Sequence, residues 1–380
     1  MATGSEKSEM RSQKSDIKTT IFYITDNGFN LAKKIKRLYS DVEVLKFKSE
    51  AVSEAWNERG NLIFIMASGI VVRTIAPLIK DKRTDPAVVV LDEKGRFAIS
   101  LLSGHLGGAN KIAKEVADFL GGQAVITTAS DVNNMTSIDL WAKENGLIID
   151  DYNLVPQVAT RFINKGELKV YSEVEMKMPE GFLRTDKPSS ADVLITNKQI
   201  KNQKSKIKNQ IYLRPKNLII GTGCNRGTAA DEIEDAVKRS LAEKKLSFLS
   251  IHSVATIDIK ADEKGLNEFV RGYGFPIKTF AADELNKISS ESGVRSSEIV
   301  FKATGAYAVA EPAALLASGA DKLLVKKQKQ GNVTVAIAEQ KPEVRRQKSE
   351  TKGKIYIVGT GPGAIEHITP YAQNAIRNSD

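Results

Sequence analysis

The chain of 380 residues is predicted to be an α/β protein with two βαβ-type domains, mainly parallel sheets and a small middle module. Apolar strand-like runs alternate with amphipathic helix-like segments from residue 20 to about residue 145, which is typical of βαβ units. The same alternation begins again at Leu218 and continues to about residue 340. Short strand signals lie between the two. A chain of this length can bury two or three separate cores.

The first domain is predicted over residues 20–145. Its two longest helix signals are residues 31–39 and 109–120. The turn Glu93-Lys94-Gly95 between two apolar runs predicts a hairpin. The strands are predicted at IFYIT (21–25), VEVLKF (42–47), LIFIMA (62–67), AVVVL (87–91), FAISLL (97–102) and AVITT (124–128).

The middle module is predicted over residues 146–197, with short strands at 168–172 and 192–196, and a helix signal at 137–143 precedes it. The segment 198–216 is predicted to be a basic linker, because it is rich in Lys, Gln and Asn. The C-terminal α/β domain is predicted over residues 217–340. Its segments are LIIGTG (218–223), a helix at 229–244, FLSIHSVATIDI (248–259), a strand at 276–280, a helix at 308–317, KLLVKK (322–327) and VTVAIAE (333–339).

The cysteine count, the polar N-terminus and the length of the apolar runs limit the compartments in which the protein is expected. Cys224 is the only cysteine, which excludes an internal disulfide and favours a reducing compartment. The polar first 19 residues are predicted to be disordered and lack a signal-peptide pattern, and no apolar run reaches the ~18 residues of a spanning helix. A cytoplasmic protein without a membrane segment is therefore expected.

The net charge of +10 is concentrated in two tracts. Residues 198–216 hold seven basic residues and no acidic one, and residues 341–354 hold six basic residues against two acidic ones. Neither tract has the interleaved aromatic residues that single-strand binders use. Solvated linkers explain both better than a nucleic-acid site does, so no nucleic-acid partner is expected.

The loop Ser103–Asn110 is the strongest candidate site in the sequence. It joins a predicted strand to a predicted helix, a position where α/β proteins commonly place ligands. His105 is the leading candidate for a general base, because its ordinary titration range lies near neutral pH. Gly104 and Gly107 would let the backbone approach a ligand, and the N–H groups that open the following helix could hold an oxyanion. A purely structural role of His105 at the helix entry remains the alternative.

Polar residues after other strands extend the candidate set. Ser103 is either a nucleophile or a hydrogen-bonding residue; the absence of a G-x-S-x-G elbow favours the second. Asp131 is either a ligand contact or a helix cap. Further candidates are Asn110 and Thr128 in the first domain and Gly223, Arg226 and Thr228 in a loop-like segment of the second. That segment has no Lys-Ser/Thr after its glycines, which excludes a Walker A loop.

Four motif blocks together resemble the cobalt-precorrin-5A hydrolase family of anaerobic cobalamin biosynthesis, also called CbiG-type. The blocks of the first domain are ASGIVVR (67–73), APLIKDKRTDPAVVVLDEKG (76–95), ISLLSGHLGGAN (99–110) and VITTASDVN (125–133). Two more blocks of the same family lie downstream, IIGTGCNRGT (219–228) and KATGAYAVAEPAALLAS (302–318). The resemblance spans residues 20–340.

The resemblance implies a reaction. The substrate would be a cobalt-containing, carboxylate-rich macrocycle whose δ-lactone is opened by water with loss of acetaldehyde. Arg73 and Lys82 lie within these blocks and are candidates for binding carboxylates, with a solvated charged face as the alternative. Lys302 and Glu311 are candidates for contacting the substrate, and Glu311 could instead interact with a helix dipole. No HExxH or Cys/His cluster is present, so the cobalt is expected to arrive inside the substrate, with no further metal or cofactor. A cleft between the loops 103–110 and 221–228 is the expected binding site.

Residues 354–380 follow a second basic linker at 341–353. Their strand-like start and glycine loop, KIYIVGTGPG, resemble the opening of tetrapyrrole methyltransferases. The resemblance implies a truncated start of such a domain and, as partners, other cobalamin-pathway enzymes including an adjacent methyltransferase. It also leaves an alternative function open: a module without chemistry of its own that binds the intermediate and passes it on.

Overall fold

The computed structural model describes residues 18–58, 60–199, 210–294 and 296–340, which form three sheets in series along the chain. Of the residues 1–19 that were predicted to be disordered, 1–17 lie outside the described residues, whereas Thr19 is buried in a strand. The predicted linker 341–353 and the methyltransferase-like segment 354–380 also lie outside the described residues. Among the described residues, no helix has both the length and the apolar character needed to cross a membrane.

The first sheet has six strands in the order β2-β1-β3-β4-β5-β6. All neighbouring strands are parallel except β4 and β5, which form the predicted hairpin. The elements are β1 (Thr19–Tyr23), α1 (Asp26–Ile35), β2 (Val42–Lys46), α2 (Ser49–Asn57), β3 (Asn61–Ile65), α3 (Ser68–Ile75), β4 (Ala87–Leu91), β5 (Phe97–Leu102), α4 (Ala109–Leu120) and β6 (Gln123–Val125).

Both faces of this sheet are covered by helices, as a mainly parallel sheet requires. Ile21 and Ile63 face one core, which α1 and α4 close, whereas Phe22 and Phe64 face another core on the side of α2 and α3. Because neighbouring residues of a strand point to opposite faces, the central strands β3 and β4 are buried on both faces and are almost wholly apolar. This explains why the apolar runs were visible in the sequence.

The middle sheet has the order β7-β11-β10-β8-β9, and one apolar core packs on it. Only β11 and β7 run antiparallel to each other within it. Its elements are α5 (Ala129–Val132), α6 (Ile138–Glu144), β7 (Leu147–Ile149), α7 (Val155–Lys165), β8 (Leu168–Ser172), β9 (Phe182–Arg184), β10 (Val193–Ile195) and β11 (Ile211–Pro215). The short helix α5 precedes the core proper.

Two predicted boundaries of the middle module differ from the structure. Helix α6 was placed in the first domain, yet Ile138 and Trp141 are buried in the middle core. The predicted linker 198–216 ends in the strand β11, whose Arg214 is almost fully buried. Arg214 Nη2 donates to Asp150 Oδ2 at 2.6 Å, and its Nη1 donates to two backbone carbonyls. From the sequence alone, a buried arginine with hydrogen-bond partners cannot be distinguished from an arginine on the surface.

The third sheet has the order β14-β13-β12-β16-β15, with β12 at its centre. Strands β12 to β14 are parallel, and β16 runs antiparallel to both of its neighbours. The elements are β12 (Leu218–Cys224), α8 (Ala230–Glu243), β13 (Ile251–Ile257), α9 (Lys264–Tyr273), β14 (Ile277–Phe280), α10 (Ala282–Glu291), α11 (Glu298–Thr304), α12 (Ala310–Ser318), β15 (Leu323–Gln330) and β16 (Val333–Glu339). The predicted α/β class with mainly parallel sheets is confirmed.

Candidate functional site

The loop between β5 and α4 is held in a compact conformation by its own backbone. Ser103 has a positive φ of 55°, and its carbonyl accepts a hydrogen bond from Ala109 N at 3.2 Å. A Cβ on Gly107 would lie 2.5 Å from Ser103 Cβ, so only glycine fits there. Ser103 Oγ donates to the carbonyl of Asp85 at 3.1 Å. The Ser103 hydroxyl therefore braces the loop, in line with the hydrogen-bonding role.

The sequence predicted that N–H groups at the start of α4 could hold an oxyanion, but three of these groups are already hydrogen-bonded within the protein. Ala109 N and Asn110 N donate to the carbonyls of Ser103 and Gly104, at 3.2 and 3.0 Å. Ile112 N donates to the Gly108 carbonyl. These three N–H groups already have partners and are therefore not free to bind an oxyanion.

His105 makes hydrogen bonds through both ring nitrogens. Nε2 lies 2.8 Å from Asp131 Oδ2 and 3.3 Å from Ser130 Oγ. Nδ1 lies 3.2 Å from Ser137 Oγ. A carboxylate can only accept, so Nε2 carries a proton and donates a hydrogen bond to Asp131. The side chain of His105 is 18% exposed, which leaves part of the ring open to the pocket.

Asn110 links three elements beneath His105. Its Oδ1 accepts from Ser100 Oγ at 2.6 Å, and its Nδ2 donates to Thr128 Oγ1 at 3.1 Å and to Asp131 Oδ2 at 2.9 Å. The side chain is buried, so each of these bonds replaces water that cannot reach it. Gly104 makes room for this network, since a Cβ there would lie 2.6 Å from Asn110 Oδ1.

Lys82 brings a cation to the same place. Its Nζ lies 3.6 Å from Asp139 Oδ2, and its side chain is 51% exposed. The turn that carries Lys82 is fixed on both sides: Asp85 accepts from Lys80 N, and Asp81 accepts from the Arg83 side chain and backbone. Those bonds from Arg83 lower the pKa of Asp81 to about 2. Lys82 is therefore held at the pocket while its ammonium group stays accessible.

These residues surround a pocket of about 460 Å³, a size typical of small-molecule sites. The pocket joins first-domain residues to Asp139 at the start of α6. Its lining is Lys82, Ser100, Leu101, Leu102, Ser103, Gly104, His105, Leu106, Asn110, Thr127, Thr128 and Asp139. We call it the His105 pocket.

A second cavity of similar volume lies near the carboxyl ends of β1, β3 and β4. The motif that begins at Ala67 starts there, and the crevice rule for α/β sheets favours this edge. Its lining contains Asp92 and Glu93 but no Lys, Arg or His. A carboxylate-rich ligand therefore fits the His105 pocket better on charge.

Ser137 and Asp139 were not predicted from the sequence as site residues. Ser137 Oγ donates to Asp139 Oδ1 in a short hydrogen bond, and Leu140 N donates to the same oxygen at 3.0 Å. Both residues belong to the middle module, which approaches the first domain here; Lys143 Nζ also donates to the Leu106 carbonyl at 2.9 Å. Ser-x-Asp is an ordinary capping pattern at the start of a helix. The sequence therefore gave no sign that this helix start, unlike others, belongs to a site.

Several predicted site residues lie away from the His105 pocket. Arg73 is exposed on α3, and Lys302 is exposed on α11. Glu311 Oε1 accepts from Lys327 N on strand β15 at 3.0 Å, which is a structural contact. None of these three lines the pocket.

The first half of the predicted glycine loop of the second domain, residues 221–224, is strand. Gly223 lies within β12, and a Cβ there would be 3.0 Å from Thr334 Oγ1. Arg226 pairs with exposed Asp262 at 3.3 Å, and Thr228 Oγ1 donates to the Asn225 carbonyl. None of the residues 221–228 lines the His105 pocket, so the predicted cleft between two loops is not what encloses it.

Cys224, at the end of β12, is half-buried, and burial raises the pKa of its thiol. At pH 7 the folded protein should therefore hold less thiolate than the unfolded chain, and the thiolate is the reactive form. We expect iodoacetamide to label the folded protein several-fold more slowly than the urea-unfolded chain. The label is unambiguous because the chain has one cysteine. Faster labelling in the folded state would contradict this expectation and make Cys224 a candidate nucleophile.

Comparisons with known proteins match most of the three-sheet region, from residue 50 to residue 338. Family models described as cobalamin synthesis G N-terminal, cobalamin biosynthesis central region and cobalamin synthesis G C-terminus match residues 50–131, 136–215 and 218–338. The central match includes both α6 and β11, in agreement with the structural grouping.

Two curated relatives are named cobalt-precorrin-5A hydrolase. The protein from Priestia megaterium is 43% identical over 293 residues, which cover 73% of this chain and 78% of the relative. The protein from Salmonella typhimurium is 32% identical over 346 residues, which cover 84% of this chain and 97% of the relative. A third relative, the protein CobE from a Sinorhizobium species, is 33% identical over 122 residues, covering 32% of this chain and 79% of that protein.

Proposed function

The chain belongs to the family of cobalt-precorrin-5A hydrolases, and we propose that it opens the δ-lactone of cobalt-precorrin-5A in the His105 pocket. One water molecule is consumed, and acetaldehyde and cobalt-precorrin-5B are the products. We place the active site here because of the hydrogen-bonded array beside the cation of Lys82, which consists of His105, Asp131, Ser137 and Asp139. Lactone hydrolysis needs both an acid–base group and a positive group for the oxyanion.

The charges of the pocket support this substrate class. Lys82 is half-exposed and can bind a peripheral carboxylate or the oxyanion that forms at the lactone carbonyl. Thr128 and Ser100 add hydroxyl groups to the wall. The pocket takes the lactone-bearing edge of the macrocycle, and the remainder of the ring lies outside it.

The surroundings of the reaction are part of the same proposal. The cobalt comes inside the substrate, and the protein holds no cofactor of its own. The enzyme works in the cytoplasm, next to the other enzymes of the cobalamin pathway that make and use its substrate and product. No nucleic acid takes part.

Purified wild-type protein is expected to release acetaldehyde from cobalt-precorrin-5A under anaerobic conditions. His105→Ala should lower kcat by about 100-fold, the smaller end of what a lost acid–base array costs. His105→Gln keeps a hydrogen-bond donor for Asp131 and serves as the milder variant. Acetaldehyde is measured enzymatically, and substrate binding is followed through the visible absorption of the macrocycle.

Two results would count against the proposal. If neither the wild type nor the variants release acetaldehyde while the macrocycle still binds, the chain is a carrier that passes on the intermediate. If His105→Ala is as active as the wild type, the activity lies in another cavity.

A further inference from the structure

His105 cannot take a proton directly from water in the pocket as it stands. Nε2 donates to Asp131, and Nδ1 faces the hydroxyl of Ser137 at 3.2 Å. A general base must lie within hydrogen-bond reach of the proton that it removes. Both ring nitrogens already have protein partners, so another atom of the array has to meet the water.

Asp131 does not meet this requirement either. Its Oδ2 accepts from His105 Nε2 and from Asn110 Nδ2, and its Oδ1 lies 3.6 Å from Lys114 Nζ. It is not among the residues that line the pocket. Asp131 therefore acts on the reaction only through the orientation of the His105 ring.

Asp139 does line the pocket, although its carboxylate is only 8% exposed. Its two oxygens differ. Oδ1 is occupied by the Ser137 hydroxyl and by Leu140 N. Oδ2 forms an ion pair with Lys82 Nζ at 3.6 Å. This distance is longer than that of a direct hydrogen bond.

We propose that Asp139 Oδ2 is the atom that takes the proton from the attacking water, and that Ser137 and His105 are positioning residues. This rests on the proposed hydrolase function and identifies its base. As the water oxygen bonds to the lactone carbonyl carbon, its O–H bond breaks and the proton moves to Oδ2. The carbonyl electron pair moves to oxygen, next to Lys82. The ring C–O bond then breaks as the carbonyl re-forms, and the departing oxygen takes the proton back from Asp139. Acetaldehyde leaves when this hydroxyl loses its proton and the carbon–carbon bond to the macrocycle breaks, and the ring carbon that keeps the electron pair takes up a proton.

The positioning chain spans two modules. Asp131 and Asn110 hold the ring of His105, His105 faces Ser137, and Ser137 fixes Oδ1 of Asp139. As a result the carboxylate cannot rotate, and Oδ2 stays directed at Lys82. Preorganised groups of this kind lower the barrier because they need no rearrangement during the reaction.

The test compares variants of the full-length protein by acetaldehyde release and by binding of the macrocycle. Asp139→Asn keeps an acceptor for Ser137 and Leu140 N but cannot take a proton. It should lower kcat by at least about 100-fold and leave the dissociation constant within about threefold. Asp139→Ala should be equally impaired and should regain part of its rate in added formate, which supplies a carboxylate.

Ser137→Ala should lower kcat by about tenfold without weakening substrate binding, and Ser137→Thr, which keeps the hydroxyl, should restore it. Lys143→Met is the matched control, because it removes a neighbouring contact between the modules, the bond to the Leu106 carbonyl. Its kcat should stay within about twofold of the wild type, as expected for a substitution away from the chemistry.

The outcomes separate this proposal from the hydrolase function itself. An Asp139→Asn variant with nearly wild-type kcat overturns the role of Asp139 and leaves the hydrolase standing. The same holds if formate fails to rescue an Asp139→Ala variant that still binds substrate. If the wild type releases no acetaldehyde, the hydrolase function and this proposal fall together.

Discussion

Replacing Asn110 with leucine is expected to abolish acetaldehyde release and to lower the free energy of unfolding by about 3 kcal/mol. Asn110 is buried and exchanges hydrogen bonds with Ser100, Thr128 and Asp131. Leucine has a similar size but no polar atoms. It leaves the Ser100 hydroxyl without its acceptor and the Asp131 carboxylate without one donor, in a place that water does not reach easily. His105 then loses its fixed orientation.

Urea unfolding followed by circular dichroism gives the stability, and the acetaldehyde assay gives the activity. Lys111→Ala is the matched control, because Lys111 is the next residue of α4 and its side chain is 72% exposed. Its stability should change by less than about 0.5 kcal/mol. An Asn110→Leu protein as stable and active as this control would mean that the network beneath His105 is dispensable.

Replacing Gly221 with alanine should prevent stable folding of the C-terminal domain, at a cost of about 3 kcal/mol or more. A Cβ at this position would lie 1.9 Å from the carbonyl oxygen of Ala310 and 2.8 Å from Ala314 N. These are backbone atoms of α12, which packs across the central strand β12, so they cannot rotate away. The whole helix has to move, and the apolar contacts beneath it are lost.

The same substitution at Gly272 provides the control. Gly272 lies near the end of α9 in the same domain, and a Cβ there meets no atom within 4 Å. Gly272→Ala should stabilise the protein by about 0.5–1 kcal/mol, because alanine loses less backbone entropy in a helix. Thermal melts of both variants measure the effects. Equal melting temperatures would show that α12 does not pack on β12 as described.

The strands of the first domain could be predicted from the sequence, and the module boundaries could not. Buried parallel strands are apolar on both faces, so runs such as Ala87–Leu91 stand out from any surface segment. Strand β11 follows a basic tract and contains the buried Arg214. The burial of Arg214 depends on its bond to Asp150, which lies far away in the chain. A partner that distant leaves no local pattern.

Part of the lining of the His105 pocket could be predicted from the sequence. The loop with His105 carries rare residue types at a strand end, and the structure places Ser103, Gly104, His105, Asn110, Thr128 and Lys82 around one pocket. Glycines of the second domain were misleading. Gly221 is required because the backbone of a helix packs directly against it. Close packing of this kind and a ligand-binding loop both require glycine, so the sequence could not distinguish between them. Asp139 was missed because it reaches the pocket from another module.

The order of the middle sheet also decides when this enzyme becomes competent during its synthesis. All six strands of the first sheet have emerged once residue 125 leaves the ribosome, so that domain can form early. Strand β7 pairs with β11, and Ile211 and Leu213 complete the core on which α6 rests. Asp139 therefore gains its firm support only after residue 215 has been made. Until then a nascent chain already displays His105, but Asp139 is not yet held firmly at the pocket.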